Sequence, residues 1–353
     1  MNIIYIVYTD INEIKSGSSV RPRKMLDTFK KMGIDVELLS TQQNRYVDRC
    51  KAVYKFIKKI KNKKYDFCYI ELPSGPIFGI YDIFLLQYIN KCGIEIGMFY
   101  RDALWLFDDE NVLLPKYKKV IINILHKRDI RLFKKIAKKI YVPSASFATA
   151  FYNETGALQL DVLPPGTDLS IKTHYKKTQT GIYVGSSSYK YGLADLIEAY
   201  RRLNEMGYKF KLIVVTRKFE YKTFFPNGHD YPWLEIKHVE GENLTPLYSK
   251  SDLAFIPIKK NKYTDMALAI KMLEYISFEK PIITNSLKET GEFLKKYDCA
   301  LIYNESIEEL MSRIVDFYEN NLGIKLYENI VTAKNQNSWE TRVSKIINDL
   351  KNK

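Results

Sequence analysis

The sequence predicts an α/β protein of two Rossmann-like, doubly wound domains facing a cleft. Short apolar runs alternate with amphipathic runs along most of the chain, the pattern of parallel strands joined by crossover helices. The alternation stops at Leu163-Pro164-Pro165-Gly166, where proline and glycine break any regular element, and then restarts. The length of 353 residues suits two domains of about 100–200 residues each. The expected division is a first domain over 1–165, a second over 166–335, and a terminal helix over 336–353 that returns to pack on the first.

The elements follow in order. Ile3–Tyr8 reads as a buried strand, followed by the loop Ser16-Gly17-Ser18-Ser19 and a helix from Arg21 to Met32 that Gly33 ends. Strands are expected at Asp35–Leu39, Phe67–Ile70, Ile94–Tyr100 and Lys139–Val142. Helices are expected over Arg49–Lys64, Phe78–Asn90 and Lys118–Lys138. In the second domain the strands are Gly181–Val184, Phe210–Val215, Leu234–His238, Leu253–Ile256 and Pro281–Thr284. Leu193–Met206, Leu244–Lys250 and Ala269–Ser277 are helical, and charged helices run on from Ser306. Ser338 is placed to cap the last of them.

The formal net charge is +14, and it is concentrated. Arg49–Lys64 carries +8 and Pro115–Ile140 carries +9, so the remainder is slightly acidic. Two basic segments predict a surface that meets something anionic. In the second segment Ile121, Leu125, Leu132, Ile136 and Ile140 recur at helical spacing, which predicts a buried apolar face with the cations outside. An anionic membrane surface suits those cations; nucleic acid does not, because no recognition-helix or zinc pattern is present. Cys50, Cys68, Cys92 and Cys299 have no metal-ligand or redox spacing, which points to a reducing compartment. The N-terminus lacks a basic region before its apolar run, and no apolar run approaches the ~20 residues of a membrane span. The expectation is a cytoplasmic protein, peripheral at the inner face of the plasma membrane.

In doubly wound sheets ligands bind outside the carboxyl ends of the strands, so the loops after strands hold the candidates. Tyr263–Asn285 is the most informative stretch: it follows a buried strand, opens a helix and leads into another strand. A helix start presents unpaired amides to an anion. Lys271 and Glu274, three apart, share a helix face. One suits phosphate and the other ribose hydroxyls; an exposed ion pair is the plainer alternative. Arg217 follows the strand ending at Val215 and either reaches the cleft or is a solvated strand-end charge. Gly17 follows the first strand, where glycine lets a backbone approach a ligand. Arg21 or Arg23, at a helix start where a cation is poorly placed, hints at an anionic ligand. Tyr100-Arg101-Asp102 and Glu71 end strands of the first domain; Asp102 is the candidate for orienting a substrate hydroxyl, with Arg101 as its partner, and Glu71 is a candidate to touch the same substrate. His238 reads as structural.

The pattern Lys271-x-x-Glu274-Tyr275 followed by Lys280-Pro281-Ile282-Ile283 resembles the donor-site region of glycosyltransferase family 4, whose fold is GT-B. Leu163-Pro164-Pro165-Gly166-Thr167-Asp168, Tyr183-Val184-Gly185 through Gly192, Leu196-Ile197-Glu198-Ala199 and Ser338-Trp339-Glu340 resemble further segments of that family in order. The resemblance implies a first domain that binds the acceptor and a second that binds a UDP- or GDP-sugar. It implies retaining, metal-independent hexosyl transfer to a glycan or lipid-linked acceptor, in cell-envelope polysaccharide or glycoconjugate synthesis. No cofactor is implied beyond the nucleotide sugar as co-substrate. Glu274 would hold the ribose, and the amides of Met266, Ala267 and Leu268 would face the diphosphate or sugar. Val239 and Gly241 would meet the base. Two departures stand out: the family's second acid falls at Met266, and its phosphate-binding Arg and Lys fall at Ser186 and Tyr191. Lys271, Lys190 and Arg217 are therefore expected to share the phosphate. Alternatives are a non-catalytic scaffold subunit, a sugar-nucleotide epimerase, or a phosphorylase on the same fold.

Overall fold

The structure, a computed structural model, describes residues 1–11, 17–102, 105 and 115–351, with Gly17 and Ser18 described by backbone alone. The chain divides into two compact units, Met1–Pro165 with Trp339–Lys353, and Gly166–Ser338. Unit 1 runs β1 (Asn2–Val7), α1 (Gly17–Lys31), β2 (Asp35–Ser40), α2 (Tyr46–Ile60), β3 (Phe67–Glu71), α3 (Ile80–Lys91), β4 (Ile96–Phe99), α4 (Lys116–Ile136), β5 (Ala137–Val142), α5 (Ala145–Thr155) and β6 (Leu160–Val162). Unit 2 runs β7 (Thr180–Val184), α6 (Leu193–Glu205), β8 (Lys211–Val215), α7 (Lys218–Phe224), β9 (Leu234–Lys237), α8 (Thr245–Lys250), β10 (Leu253–Ile256), α9 (Lys262–Met266), α10 (Ile270–Ser277), β11 (Ile282–Asn285), α11 (Lys288–Lys296), β12 (Ala300–Tyr303), α12 (Ile307–Glu319) and α13 (Gly323–Gln336). A final helix, α14 (Trp339–Leu350), belongs to unit 1.

Each unit has one six-stranded parallel sheet, ordered β2-β1-β3-β4-β5-β6 and β12-β11-β10-β7-β8-β9. The strand order turns around between β1 and β3 in unit 1 and between β7 and β10 in unit 2. These are the switch points, where crossovers leave on opposite faces and a crevice opens at the carboxyl edge. Strands such as β1 and β7 are buried nearly throughout, as covered parallel sheets require. Helix α14 completes the unit 1 core with Trp339, Val343, Ile346 and Leu350.

Several short elements escape the sequence pattern. Strand β6 has three residues, too few for a period. Helix α5 left a readable signal: Ser144 Oγ accepts the Phe147 amide at its start, and Gly156 ends it in the left-handed region at φ 61°. Gly17, expected in a loop, is the first residue of α1; Ser16, from the same expected loop, lies outside the described residues.

The expected buried face of α4 is corrected. His126, Asp129, Ile130 and Phe133 face inward, Ile121 is exposed, and Ile140 lies in β5. Polar groups reach the interior here because they have partners. Asp129 Oδ2 accepts the Ile77 amide at 2.7 Å, and the Tyr100 hydroxyl lies 3.2 Å from His126 Nδ1. The rotation leaves Tyr117, Val120, Ile121 and Ile124 as an exposed apolar stripe.

Unit 2 carries a buried ion pair between Lys334 of α13 and Glu279, 2.7 Å apart. Glu279 Oε2 also accepts from the amide and hydroxyl of Thr173. Burial alone pushes the Glu279 carboxyl up, but the hydrogen bonds from Lys334 and Thr173 outweigh it and hold the pKa below its usual value. A depressed folded-state pKa stabilises above the unfolded value of about 4.3. That contribution is lost as pH falls through the folded value. Urea midpoints between pH 7 and pH 3 should therefore drop more for the wild type than for Glu279→Gln. Lys334→Met, which strands a buried carboxylate, should cost about 3–5 kcal/mol at pH 7.

Candidate functional site

In unit 2 the site begins with a missing ladder bond. β7 pairs β8 as far as Val184↔Val215, but its register with β10 stops at Ile182↔Ala254. Past that point the Val184 amide donates to the Tyr275 hydroxyl of α10 at 2.9 Å. Tyr275 is buried, so α10 is fixed against the carboxyl end of β7. The loops after β7 and β10 are joined as well: the Lys259 amide donates to the Lys190 carbonyl at 2.8 Å. Gly192, at φ 68°, lets them approach, since a Cβ there would lie 1.8 Å from the Pro257 carbonyl oxygen.

Lys271 and Glu274 lie on the first turns of α10. Lys271 Nζ donates to Glu274 Oε2 at 2.7 Å, and the Tyr248 hydroxyl donates to Glu274 Oε1 at 2.6 Å. Burial and the Glu274 carboxylate raise the Tyr248 phenol well above its usual value, so it remains a donor. Lys271 is 40% exposed, and such a helix pair is worth only about 0.2–0.5 kcal/mol. An incoming anion can redirect this lysine at little cost, whereas Glu274 stays oriented by Tyr248.

The amides expected at the helix start are rearranged. Asn261 accepts the Thr264 amide and caps a separate helix, α9, which ends at Met266. The Ala267 amide donates to Tyr263 at 2.9 Å, and the Ala269 amide to Thr290 Oγ1 at 3.1 Å. Ala267 therefore does not offer its amide to a ligand. Met266 is buried, and Leu268 and Val239 each pack on the same core.

The remaining unit 2 candidates lie around the same edge. Ser186 shapes the β7 loop, its Oγ accepting the Ser188 amide at 3.2 Å and its carbonyl accepting the Tyr183 hydroxyl. Lys190 lies in the turn before Gly192, with Nζ 5.7 Å from the Tyr191 ring centroid. Arg217 is 67% exposed and pairs with Glu220 at 3.0 Å, the solvated alternative of the two readings. His238 Nδ1 lies 2.8 Å from the Thr216 carbonyl, a structural role. Gly241, at φ 62°, begins a single 3-10 turn. Sequence reasoning missed Lys259, which pairs with Asp195 at 3.0 Å and lies over the Tyr189 ring. Its signal was a lysine three residues past a buried strand. Tyr248 and Thr290 left no signal, because their roles depend on the helix packing.

In unit 1 the reading of Arg21 is corrected. Arg21 is buried and donates to Glu71 Oε1 at 2.9 Å, with its guanidinium 3.6 Å from the centre of the Phe99 ring. Glu71, not a ligand, offsets the unfavourable cation at the helix start. Arg101 also pairs with Glu71, at 3.7 Å. Asp102 follows it with its side chain half-buried. His126 was passed over; burial lowers its pKa to about 4, and the Trp105 ring stacks on it at 4.8 Å. Among the described residues no group of three or more His, Cys, Asp or Glu is placed to hold a metal ion.

Residues 167–337 match the family model described as Glycosyl transferases group 1. The structure is similar to that of HepE from Anabaena in complex with UDP-glucose, with TM-score 0.66, 12% identity, and coverage of 99% of this chain and 100% of that one. It is also similar to WaaG, a glycosyltransferase involved in lipopolysaccharide biosynthesis, with TM-score 0.64, 14% identity, and coverage of 99% and 100%. Sucrose-phosphate synthase from Thermosynechococcus elongatus gives TM-score 0.65 and 11% identity, over 98% of this chain and 97% of that one. At these identities the likeness is one of fold. No curated protein sequence gives a significant match. Unit 2 thus matches the group 1 glycosyl transferase model over nearly its whole length, and the whole chain has the GT-B fold. The resemblance carried by Lys271-x-x-Glu274 and the motifs around it is borne out.

Gly192→Ala should be one of the most damaging single-methyl changes in unit 2. Left-handed backbone alone costs about 1–3 kcal/mol for a non-glycine residue, before the clash with Pro257 is counted. Thermal unfolding should show a clear fall in Tm, while Gly228→Ala, also at positive φ but with open space around it, should fall less.

Proposed function

We propose that the protein is a retaining glycosyltransferase that moves a hexosyl group from a UDP- or GDP-sugar to a glycan or lipid-linked acceptor in cell-envelope polysaccharide or glycoconjugate synthesis. The observation that carries this reading is the Lys271–Glu274–Tyr248 cluster at the start of α10, beside the unit 2 switch point and inside the matched segment. Glu274, oriented by Tyr248, accepts hydrogen bonds from the ribose. Lys271 turns from Glu274 to the diphosphate, and Lys190 and Lys259, on the two joined loops, add positive charge. That HepE and a trehalose-6-phosphate protein from E. coli were solved with UDP-glucose and UDP-2-fluoro glucose supports such a donor.

In the proposed transfer the bond from the anomeric carbon to the diphosphate oxygen breaks as the acceptor oxygen bonds to that carbon on the same face. The acceptor proton passes to the leaving phosphate oxygen, and Asp102 orients the acceptor hydroxyl. Catalysis then rests on positioning and on stabilising the leaving diphosphate. No resident metal or cofactor is needed in this scheme.

A donor at 100 times its Kd would stabilise the chain by about 2.7 kcal/mol. Thermal-shift titration with UDP-glucose and GDP-mannose should raise the wild-type Tm with one of them, and Glu274→Ala should lose most of that rise. A full rise in Glu274→Ala would remove the ribose assignment. No rise with any nucleotide sugar would favour the scaffold reading, and conversion of the donor without an acceptor would favour an epimerase.

The exposed stripe on α4 supports peripheral attachment to an anionic membrane, at the cytoplasmic face. Tyr117, Val120, Ile121 and Ile124 are each more than half exposed and are flanked by Lys116, Lys118, Lys119 and Lys127. Such residues suit an interfacial helix, with about 1 kcal/mol per lysine near anionic lipid. No described helix is long and apolar enough to cross a membrane. Sedimentation should show salt-sensitive binding to phosphatidylglycerol vesicles, weakened at least fivefold by Val120→Ser with Ile124→Ser. Equal binding to neutral phosphatidylcholine, or none to either, would contradict attachment by this surface.

A further inference from the structure

Strand β9 is one edge of the unit 2 sheet and pairs with β8 alone. The Trp233 carbonyl accepts the Leu212 amide at 2.9 Å, and the Lys237 carbonyl accepts the Thr216 amide at 3.1 Å. Residues 233, 235 and 237 thus turn their backbone groups to β8, while Leu234 and Ile236 turn theirs away from the sheet. The Leu234 amide is taken by the Tyr231 carbonyl at 3.0 Å. The Leu234 carbonyl and both backbone groups of Ile236 have no partner among the described residues. An open row of this kind is a template for a further strand. The other edge of the same sheet is guarded: on β12 the Ile302 carbonyl accepts from Arg313 Nε at 3.0 Å. Among the described residues no side chain bonds to the outer groups of β9 in this way, and the strand has no proline and no shift in register.

We propose that β9 pairs antiparallel with β9 of a second copy of this chain, across a two-fold axis at Ile236. The order of side chains carries this. Leu234 and Ile236 pack on the core, while Glu235 and Lys237 share the other face, 42% and 44% exposed and 2.9 Å apart. The two charges are opposite in sign and flank Ile236. A two-fold axis at Ile236 sets Glu235 opposite the partner's Lys237, and by symmetry Lys237 opposite the partner's Glu235. Opposite charges directly across an antiparallel pair attract, and like charges repel. The neighbouring axes, at Glu235 or at Lys237, set like charges face to face. Charge therefore selects one register for a second copy. The backbone agrees with it. Ile236 becomes a hydrogen-bonded position, its amide and carbonyl meeting those of the partner's Ile236. Continuing the alternation, the Leu234 carbonyl meets the partner's His238 amide. Glu235 and Lys237 then fall at non-hydrogen-bonded positions, where facing side chains come closest. The contact is small, so association is weak and depends on concentration. The two six-stranded sheets run on as one, with their carboxyl edges on opposite sides, so neither donor edge covers the other.

The test is sedimentation velocity of the full chain from low to high micromolar concentration. The wild type should pass from monomer to dimer as concentration rises. Glu235→Lys and Lys237→Glu each set like charges across the pair, and each should weaken association at least tenfold. An equimolar mixture of the two variants should associate as the wild type does, because each copy then meets the opposite charge at both positions. Neither variant keeps the ion pair within its own strand, so recovery in the mixture reports contact between copies and not a repaired monomer. Both side chains are partly exposed, so Tm should change little in either variant. A wild type that stays monomeric at the highest concentration would overturn the proposal. A dimer that persists undiminished in both variants would overturn it equally, since association would then use another surface. So would a mixture that fails to associate where the wild type does.

Discussion

One hydrogen bond organises unit 2: the Val184 amide donating to the Tyr275 hydroxyl. It forms where β7 and β10 stop pairing and a strand amide would otherwise lack a partner. A buried backbone donor without a partner costs about 1–3 kcal/mol, so a side chain must reach it. Tyrosine does this from α10 and sets where that helix begins. Lys271 and Glu274 follow from its placement, because both lie within four residues of Tyr275 on α10. Tyr248 then orients Glu274 from the neighbouring helix α8, stacking on Phe278 at 3.9 Å.

The two switch points are finished differently. In unit 2 the edge is closed by backbone: Lys259 bonds Lys190, and Gly192 fits under Pro257. Its cations stand on the surface in weak pairs, as suits a mobile anionic ligand. In unit 1 the edge is closed by a charge network in which Glu71 Oε1 takes Arg21 and Oε2 lies 3.7 Å from Arg101. The first edge carries exposed lysines, and the second a buried carboxylate engaged by two arginines.

The fold was legible because parallel strands buried on both faces read as continuous apolar runs. β1, β3, β7 and β10 all fall where those runs lie. The Pro-Pro-Gly segment likewise marks the crossing between the units. Edge strands β6 and β12 were not legible, being three and four residues long and only partly buried. The inward face of α4 was misjudged because periodicity counts apolar residues, whereas His126 and Asp129 are buried through hydrogen bonds. The pairing of Lys271 with Glu274 could be read from their spacing on one helix face. The loss of the Ala267 amide could not, because it depends on Asn261 capping an extra helix. Arg21 misled for a related reason: its counter-ion, Glu71, is 50 residues away in sequence.

The central claim is that a nucleotide sugar lies against the start of α10. Hydrogen–deuterium exchange with and without UDP-glucose, and again with GDP-mannose, tests it directly. One of the two donors should slow exchange in the β7–α6 loop and over residues 257–277, and Glu274→Ala should abolish the effect at the same donor concentration. Unchanged exchange in both segments with both donors, or protection confined to unit 1, would contradict the account.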